Sequence, residues 1–263
     1  LWSDALDVRY YALDKSLTYD RGVLSWNYVV GATEYEVTVN GKAYKTAESE
    51  YAVTLTQSGE NTLTVRFITA DSADDEIATY TVNAYKLTFD SQQGEKVDAV
   101  YRATGDPMNL PTELLRDGYD FVGWYNSASA SGVYGKRYDE EYFDGNSDIV
   151  LYAGWSPKTY TAQLDYNEAG EGADDAAQVT YTKNYTITPP AIKAEHNDKV
   201  FAGWFSSPDG KGVQYTDELG NSLRAWQHTA DMKLYAVYKD AYKYTLIGAD
   251  YEVTANPLLA GSK

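Results

Sequence analysis

The chain contains one series of short aromatic motifs twice. Residues 118–125 read Gly-Tyr-Asp-Phe-Val-Gly-Trp-Tyr and are followed at 151–155 by Leu-Tyr-Ala-Gly-Trp. Residues 201–205, Phe-Ala-Gly-Trp-Phe, are followed at 234–238 by Leu-Tyr-Ala-Val-Tyr, at offsets of 80 and 83 residues. A constant order at a nearly constant offset indicates an internal repeat, and tandem units of this size usually add length or present surfaces. The sequence therefore favours a modular binding or spacer protein over an enzyme.

Short runs of alternating apolar and polar residues, rich in Tyr, Val and Thr, recur between clusters of Gly, Asn, Asp and Pro. This pattern predicts a mostly β protein. Residues 35–39 alternate, and Asn40 and Gly41 supply the two positive φ angles of a type I′ hairpin before the run at 42–46. About seven short strands in the first third of the chain predict a two-sheet sandwich.

The chain is acidic along its whole length. It carries 22 Lys and Arg residues against 39 Asp and Glu residues, a net charge of −17, and no segment has the basic surface that binds nucleic acid or anionic lipid. We expect no nucleic-acid partner. We also expect no membrane insertion, because no apolar run approaches the roughly 20 residues of a membrane span.

Cysteine is absent, which excludes disulfides, thiolate catalysis and cysteine-ligated metals. A hydrophobic fraction of 43% in 263 residues is sufficient for two or three small cores. A protein without disulfides fits a bacterial exported protein better than a small extracellular domain of an animal. The first residues do not open a signal peptide, so we expect a mature or excised fragment.

Few residues are candidates for catalysis or metal binding. The two histidines, His196 and His228, stand apart in polar segments without a nucleophile or metal-ligand pattern. Paired carboxylates are abundant, but abundance gives no geometry. Residues 144–148, Asp-Gly-Asn-Ser-Asp, imitate a calcium loop without its sixth-position Gly or twelfth-position Glu, so a turn explains them. We predict no catalytic residue, no cofactor and no bound metal.

Residues 24–26, Leu-Ser-Trp, and 31–41, Gly-Ala-Thr-Glu-Tyr-Glu-Val-Thr-Val-Asn-Gly, resemble bacterial fibronectin type III modules. The resemblance covers about residues 14–85. It implies a β-sandwich in which Trp26 packs between the two sheets. Where that family has a corner Tyr, this chain has Asn61.

The segments that begin at Tyr85 and Tyr160 resemble a second family. Each has an alternating strand that ends in Asp, a polar turn, a second strand, a proline-marked stretch, the Gly-Trp motif and a closing Leu-Tyr-Ala strand. This order resembles the internalin-type B repeat, also called the Listeria and Bacteroides repeat. The second copy is degenerate, with Asn-Asp at 197–198 in place of Gly-Tyr and an insertion around 222–230. The resemblance implies a small β-grasp-like unit of bacterial surface proteins, without catalysis.

These resemblances divide the chain into five segments. We expect the end of a preceding module or a linker at 1–13, a fibronectin-like sandwich at 14–85, B-repeat-like modules at 86–158 and 159–239, and the start of a further module or a C-terminal hairpin at 240–263. The predicted fold is mostly β, with a fibronectin III or Ig-like sandwich followed by two small β-grasp-like modules in an elongated array.

We interpret the Gly-Trp pair as a packing device. On a regular strand, Phe121 and Gly123 share one face while Val122 and Trp124 share the other, so a missing Cβ admits a close neighbour and the indole fills the core. The predicted structural core residues are Trp26, Tyr35, Phe121, Gly123, Trp124, Tyr152, Trp155, Phe201, Gly203, Trp204 and Tyr235.

Tyrosine is unusually abundant, with 26 residues, so some rings are available for roles other than packing. Aromatic residues in polar loops are candidates for stacking on a sugar ring or a partner side chain, and the alternative is packing within their own loops. The candidate ligand-binding residues are Tyr134, Tyr138, Tyr215 and Trp226.

Together these patterns predict a non-catalytic segment of a secreted or wall-attached bacterial protein, acting as an adhesion module and rigid spacer. Its partner would be a host or bacterial surface protein or a glycan, and we expect a monomer. The alternative is a carbohydrate-binding or accessory segment of a large secreted carbohydrate-active enzyme. Binding by such modules becomes useful through multivalency.

Overall fold

The computed structural model describes residues 16–69, 73–129, 133–172 and 175–241, together with two short strands at 245–248 and 251–254. Within these ranges the regular structure consists of strands and one 3-10 helix, Ala194–His196, so the predicted mostly β fold is confirmed. No helix in these ranges is long and apolar enough to cross a membrane. The linker predicted at 1–13 lies outside the described residues.

The first seven strands form two facing sheets. They are β1 (Thr18–Asp20), β2 (Val23–Ser25), β3 (Ala32–Val39), β4 (Lys42–Thr46), β5 (Glu50–Ala52), β6 (Gly59–Thr69) and β7 (Ala73–Asp90). β1, β2 and β5 form one antiparallel sheet, and β4, β3, β6 and β7 lie side by side in the other. Both sheets contribute to one buried core, which contains Leu24 of β2 and Val65 of β6. Trp26 is also buried there and packs edge-on against Tyr35, with ring centroids 5.2 Å apart.

Asn61 closes the corner between β5 and β6. Its side chain is fully buried, and its amide donates to the carbonyls of Gln57 and Gly59 at 3.0 Å. Its Oδ1 accepts from the Asn40 amide at 2.8 Å, and Asn40 in turn accepts from the Thr62 N–H at 2.8 Å. Since a buried polar group is costly unless it is hydrogen-bonded, this network ties the corner to the β3–β4 hairpin.

Strand β7 continues from the sandwich into the first repeat. Its N-terminal part pairs with β6, and its C-terminal part pairs with β8 (Val100–Ala103) and, in parallel, with β10 (Ile149–Pro157). β9 (Tyr119–Tyr125) lies beside β10. The strands of the first repeat therefore follow the order β8-β7-β10-β9 within a sheet that also contains β3, β4 and β6.

The second repeat builds the same arrangement from β11 (Thr159–Asp165), β12 (Asp175–Thr180), β13 (Lys199–Phe205) and β14 (Met232–Asp240). The order is β12-β11-β14-β13, and again the first and fourth strands of the repeat pair in parallel. The other two pairings are antiparallel. The shared strand order confirms the internal repeat that the motif offsets predict.

The described residues group into two compact units. One contains the residues up to Leu114 together with Phe121–Gly154, and the other contains Leu115–Asp120 together with the chain from Trp155 onward. The boundary expected between residues 85 and 86 falls inside β7, so the sandwich and most of the first repeat share a unit. In the last segment, β15 (Thr245–Gly248) and β16 (Tyr251–Thr254) pair as an antiparallel hairpin.

A β-bulge changes the faces expected for the Gly-Trp motif. The pairing of β13 with β14 shifts between Phe201 and Gly203, and Gly203 has φ +143°. Phe201 and Trp204 therefore contact each other, with ring centroids 5.6 Å apart, and the rings of Phe121 and Trp124 lie 5.5 Å apart. The expectation that the Phe and Trp of each motif occupy opposite faces is wrong, and in the second motif the reason is an extra residue that interrupts the alternation.

Asp106 links strand β1 to the first repeat. Its carboxylate is 3% exposed and accepts the Tyr19 hydroxyl at 2.9 Å to each oxygen. It also accepts the Ala103 N–H at 2.8 Å. Burial raises the pKa of Asp106 above its ordinary value, although these hydrogen bonds act in the opposite direction.

Replacing Asp106 by Asn is expected to change the pH dependence of stability. Because the folded-state pKa of Asp106 lies above its unfolded value of about 3.9, the folded protein holds the proton between the two values. This group's contribution to the free energy of unfolding therefore decreases as pH rises through that window. Urea unfolding should give a wild-type minus D106N difference that is larger near about pH 4 than near about pH 7. A difference in the free energy of unfolding that grows with pH would contradict a raised pKa of Asp106 in the folded protein.

Candidate functional site

The two Gly-Trp indoles are buried in equivalent ways. Trp124 donates its indole N–H at 2.9 Å, and Trp204 at 3.3 Å, to a carbonyl of the preceding proline-marked stretch. The carbonyls of the two Trp residues accept the N–H groups of Tyr138 at 2.9 Å and of Tyr215 at 2.8 Å. These matching bonds make Tyr138 and Tyr215 structural counterparts.

The other predicted core residues of the repeats differ in burial. Trp155 and Phe201 are buried, whereas Phe121, Tyr152 and Tyr235 are half-buried. Tyr235 alternates along β14 with the buried Leu234 and Ala236, so its side chain lies on the opposite face of the sheet from theirs.

Two of the four candidate ligand-binding rings lie inside a core. Trp226 is 1% exposed and Tyr215 is 5% exposed, and their ring centroids are 5.7 Å apart. The Trp226 indole N–H donates to the His228 carbonyl at 3.0 Å, and the Tyr215 hydroxyl lies 2.6 Å from His228 Nε2. Neither ring offers a face to solvent, so the packing alternative applies and we leave both out of the binding surface.

Trp226 is the counterpart of Phe143 in the first repeat. Each donates its backbone N–H to the turn that follows the second strand of its repeat, Phe143 at 2.8 Å and Trp226 at 3.0 Å. Tyr215 and Trp226 are 11 residues apart, whereas Tyr138 and Phe143 are 5 apart. The insertion expected around 222–230 therefore lies before Trp226 and does not contain it. Sequence comparison between the repeats could have found this, since both positions are aromatic.

Tyr134 and Tyr138 are half-buried on the first repeat. Tyr134 stacks on Tyr125, with ring centroids 4.5 Å apart and an interplanar angle of 25°. Tyr138 lines an open cavity of about 220 Å³ beside Arg137 and Trp124. Ligand binding by these two tyrosines stays a prediction.

A larger cleft, with a volume of about 520 Å³, lies on the second repeat. It is bounded by the loops after β11 and β13, by the 3-10 helix and by the C-terminal half of β14. Its polar and aromatic lining consists of Asn167, Glu168, His196, Lys199, Asp209 and Tyr238. Sequence reasoning missed the cleft because these residues come from four separate segments.

Hydrogen bonds fix the walls of this cleft. Asn167, in a positive-φ turn at +53°, donates its amide to a carbonyl of β14 at 2.6 Å. Tyr238 donates its hydroxyl to the Tyr166 carbonyl at 3.0 Å, and burial raises the pKa of Tyr238 to about 12. The Lys199 ammonium lies 2.5 Å from Asp240, whose carboxylate raises the pKa of Lys199. The cleft therefore has a preformed shape and one cation that is already paired.

The first repeat carries an arginine where the second has this cleft. By the repeat offsets, Arg116 stands at the position of His196, and Trp155 at the position of Tyr238. The Arg116 guanidinium carbon lies 4.0 Å from the ring centroid of Tyr119 and 5.7 Å from that of Trp155. Such distances are those of cation–π contacts. The replacement of Arg116 by His196 at equivalent positions of the two repeats is the sequence signal that could have pointed to the cleft.

The calcium-like segment has a structural explanation. Asp148 accepts the Lys86 N–H at 2.8 Å and the Ser58 hydroxyl at 2.7 Å. Asp231 accepts the Thr161 N–H at 2.8 Å in the same place on the second repeat. In both repeats this Asp holds the start of the first strand. Among the described residues, no group of three or more His, Asp or Glu side chains is arranged to hold a metal.

Comparison with known families gives two matches in this chain. The Listeria-Bacteroides repeat domain matches residues 85–154 and 160–237, which together make up more than half of the chain. The matched ranges coincide with the two four-strand repeats described above.

Similar proteins are much longer than this chain. A candidate membrane protein of Evansella cellulosilytica is 28% identical over 187 residues, which is 69% of this chain and 25% of that protein. A candidate Gly-rich membrane protein of the same organism is 26% identical over 62% of this chain and 17% of its own length. Internalin H of Listeria monocytogenes is 25% identical over 48% of this chain and 21% of its own length. The chain thus spans about a quarter or less of these curated relatives.

Proposed function

Because the chain belongs to the Listeria-Bacteroides repeat domain family, we propose that it is a non-catalytic segment of a secreted or wall-attached bacterial protein, acting as an adhesion module and a spacer. The observation that carries this proposal is the tandem pair of repeats with one strand order and separate Gly-Trp cores. Small repeated units of this kind present surfaces in series. The names of the Evansella and Listeria relatives support a location at the cell surface.

The spacer role is supported by the way the first repeat joins the sandwich. β7 is 18 residues long and belongs to both, so the connection between them is a paired strand rather than a flexible linker. The Tyr19–Asp106 contact adds a buried link between the same two parts. We further propose that the first segment is a fibronectin type III-like module, which its facing three-strand and four-strand layers support.

The proposal is tested with the full 263-residue chain. We expect saturable binding to at least one protein from a panel of immobilised host extracellular-matrix and bacterial surface proteins, measured by biolayer interferometry. Light scattering should give the mass of a monomer. Absence of saturable binding across the panel would contradict the adhesion role, and a broad distribution of shapes in small-angle scattering would contradict the spacer role.

The cavity beside Tyr138 favours a second candidate, a carbohydrate-binding accessory segment of a larger enzyme. A half-buried tyrosine beside an open cavity that also contains Arg137 suits a sugar ring. A glycan array would then show binding that Tyr138→Ala removes. Tyr28→Ala is the matched control, since it truncates a 65% exposed ring that does not line the cavity. Equal loss in both variants, or no binding to any glycan, would exclude this second candidate.

A further inference from the structure

We propose that the cleft on the second repeat binds a neutral sugar ring. This inference names a ligand class for the adhesion role proposed above and rests on that role. The cleft volume of about 520 Å³ lies within the range of small-molecule sites in proteins. Its walls combine an accessible aromatic ring, charges that are balanced inside the protein, and polar groups that keep hydrogen-bonding capacity.

The aromatic wall of the cleft is the ring of Tyr238. In the first repeat the equivalent ring is Trp155, which is 6% exposed and lies 5.7 Å, measured from its centroid, from the Arg116 guanidinium carbon. The second repeat has His196 in place of that arginine, and Tyr238 is half-buried and lines the cleft. The ring at this position is therefore more exposed in the second repeat than in the first.

Tyr238 is fixed in position before any ligand arrives. Its hydroxyl donates to the Tyr166 carbonyl at 3.0 Å, and its ring contacts Phe201 edge-on with centroids 6.1 Å apart. A fixed ring loses little conformational entropy when a ligand stacks on it. Because tyrosine has a flat apolar face, the C–H face of a pyranose can pack on it while the sugar hydroxyls reach the polar walls.

Ion pairs within the protein compensate charges of the cleft. The Lys199 ammonium lies 2.5 Å from the Asp240 carboxylate, and the Lys211 ammonium lies 3.7 Å from the Asp209 carboxylate. An ion that entered the cleft would have to compete with these pairs. The walls are therefore complementary to an uncharged ligand rather than to a cation or an anion.

Other polar groups of the cleft can bind hydroxyl groups. In the described part of the chain, the Glu168 carboxylate makes no hydrogen bond or ion pair, and the Lys193 ammonium donates to the carbonyl of the same residue at 2.7 Å. The Lys199 ammonium has three N–H donors, of which one points to Asp240. A sugar hydroxyl can donate to Glu168 and accept from Lys199 or from the imidazole of His196. One neutral ligand can therefore use the acceptors and the donors of the cleft together.

The first experiment titrates the isotope-labelled full chain with the methyl glycosides of glucose, galactose, mannose and N-acetylglucosamine and follows backbone amide signals by NMR. We expect at least one glycoside to cause saturable shifts at Glu168, His196 and Tyr238, and none at Gln93, the counterpart of Glu168 in the first repeat. Sorbitol carries similar hydroxyl groups on an open chain and should cause no comparable shifts. Equal shifts with sorbitol, or no shifts with any glycoside, would overturn the proposal.

The second experiment tests the aromatic ring with the glycoside that binds best. Tyr238→Leu should weaken binding about tenfold, whereas Tyr238→Phe keeps the ring and should change it less than about twofold. The control, Tyr235→Leu, truncates a half-buried tyrosine of the same strand that does not line the cleft and should leave binding unchanged. Equal weakening in both leucine variants would overturn stacking on Tyr238. Binding that Tyr138→Ala removes and Tyr238→Leu does not would place the sugar on the first repeat and would also overturn the proposal.

The third experiment covers the ring from within the protein. His196→Arg together with Lys199→Tyr restores the residues of the first repeat, where the Arg116 guanidinium carbon lies 4.0 Å from the ring centroid of Tyr119. The new arginine should cover Tyr238 and abolish the shifts, and unchanged glycoside binding would contradict the proposed position. Failure of the adhesion role is distinguishable from failure of the site, because glycoside binding to the cleft is measured without any partner protein.

Discussion

Replacing Trp204 by Ala is expected to unfold the second repeat. The indole is fully buried, contacts Phe201 and Tyr166, and donates to the Ile187 carbonyl. Truncating a buried Trp to Ala removes about 3 to 5 kcal/mol, which is comparable with the whole stability of a small domain. Hydrogen exchange followed by mass spectrometry should show loss of protection in peptides from residues 160–237, while peptides from β3 and β6 keep theirs.

The control for this experiment is Leu219→Ala in the same repeat. Leu219 is 69% exposed, so its truncation should change the free energy of unfolding by less than about 0.5 kcal/mol. Loss of protection spread equally over both units in Trp204→Ala would contradict a separate core for the second repeat. Retained protection throughout would contradict the structural role of the indole.

Replacing Gly203 by Ala is expected to have the second largest effect. A Cβ at this position would press on the Thr216 carbonyl oxygen and lie 2.8 Å from Gln214 Nε2, and the φ of +143° is unfavourable for any residue with a Cβ. Backbone strain of about 1 to 3 kcal/mol adds to the cost of displacing the buried segment at Thr216. Urea unfolding should therefore show a loss of more than about 2 kcal/mol.

Substitutions at two other glycines distinguish backbone strain from steric contact as the cause of destabilisation. Gly123 has φ +128°, and its added Cβ would lie 2.7 Å from Arg137 Nε, the end of an exposed side chain that can move. Gly31 has φ +88° with nothing within 4 Å of the added Cβ. The destabilisation should therefore decrease from Gly203→Ala to Gly123→Ala to Gly31→Ala. Equal values for Gly203→Ala and Gly31→Ala would show that the contact with Thr216 is unimportant.

Local signals allowed much of the fold to be predicted. Alternation identified the strands, and Asn40 and Gly41 adopt the predicted positive φ angles of 48° and 82° between β3 and β4. The repeat offsets gave the correspondence between the Gly-Trp motifs, whose strand order the structure confirms. These features depend on neighbours in the sequence or on copies of a motif, which a single sequence displays directly.

Features that depend on distant contacts were not predicted. Strict alternation cannot reveal the bulge before Gly203, because the bulge is defined by a partner strand. Trp226 stands in a polar context, and only its counterpart Phe143 marks it as a core residue. Asn61 stands where the fibronectin family has a corner Tyr, and its buried side-chain amide forms a hydrogen-bond network with Asn40 and Gln57 that the sequence did not predict. The cleft on the second repeat combines residues 71 positions apart in sequence, from Asn167 to Tyr238.

The long strand β7 also determines how tension would travel through this part of the protein. A pulling force along the backbone would leave the sandwich and enter the first repeat through one polypeptide segment that is bonded laterally to β6 on one stretch and to β8 and β10 on the next. Extension would require shearing several of these bonds together, since no slack residues separate the stretches. Under hydrodynamic drag, this connection would therefore lengthen only when the sandwich or the first repeat unfolds.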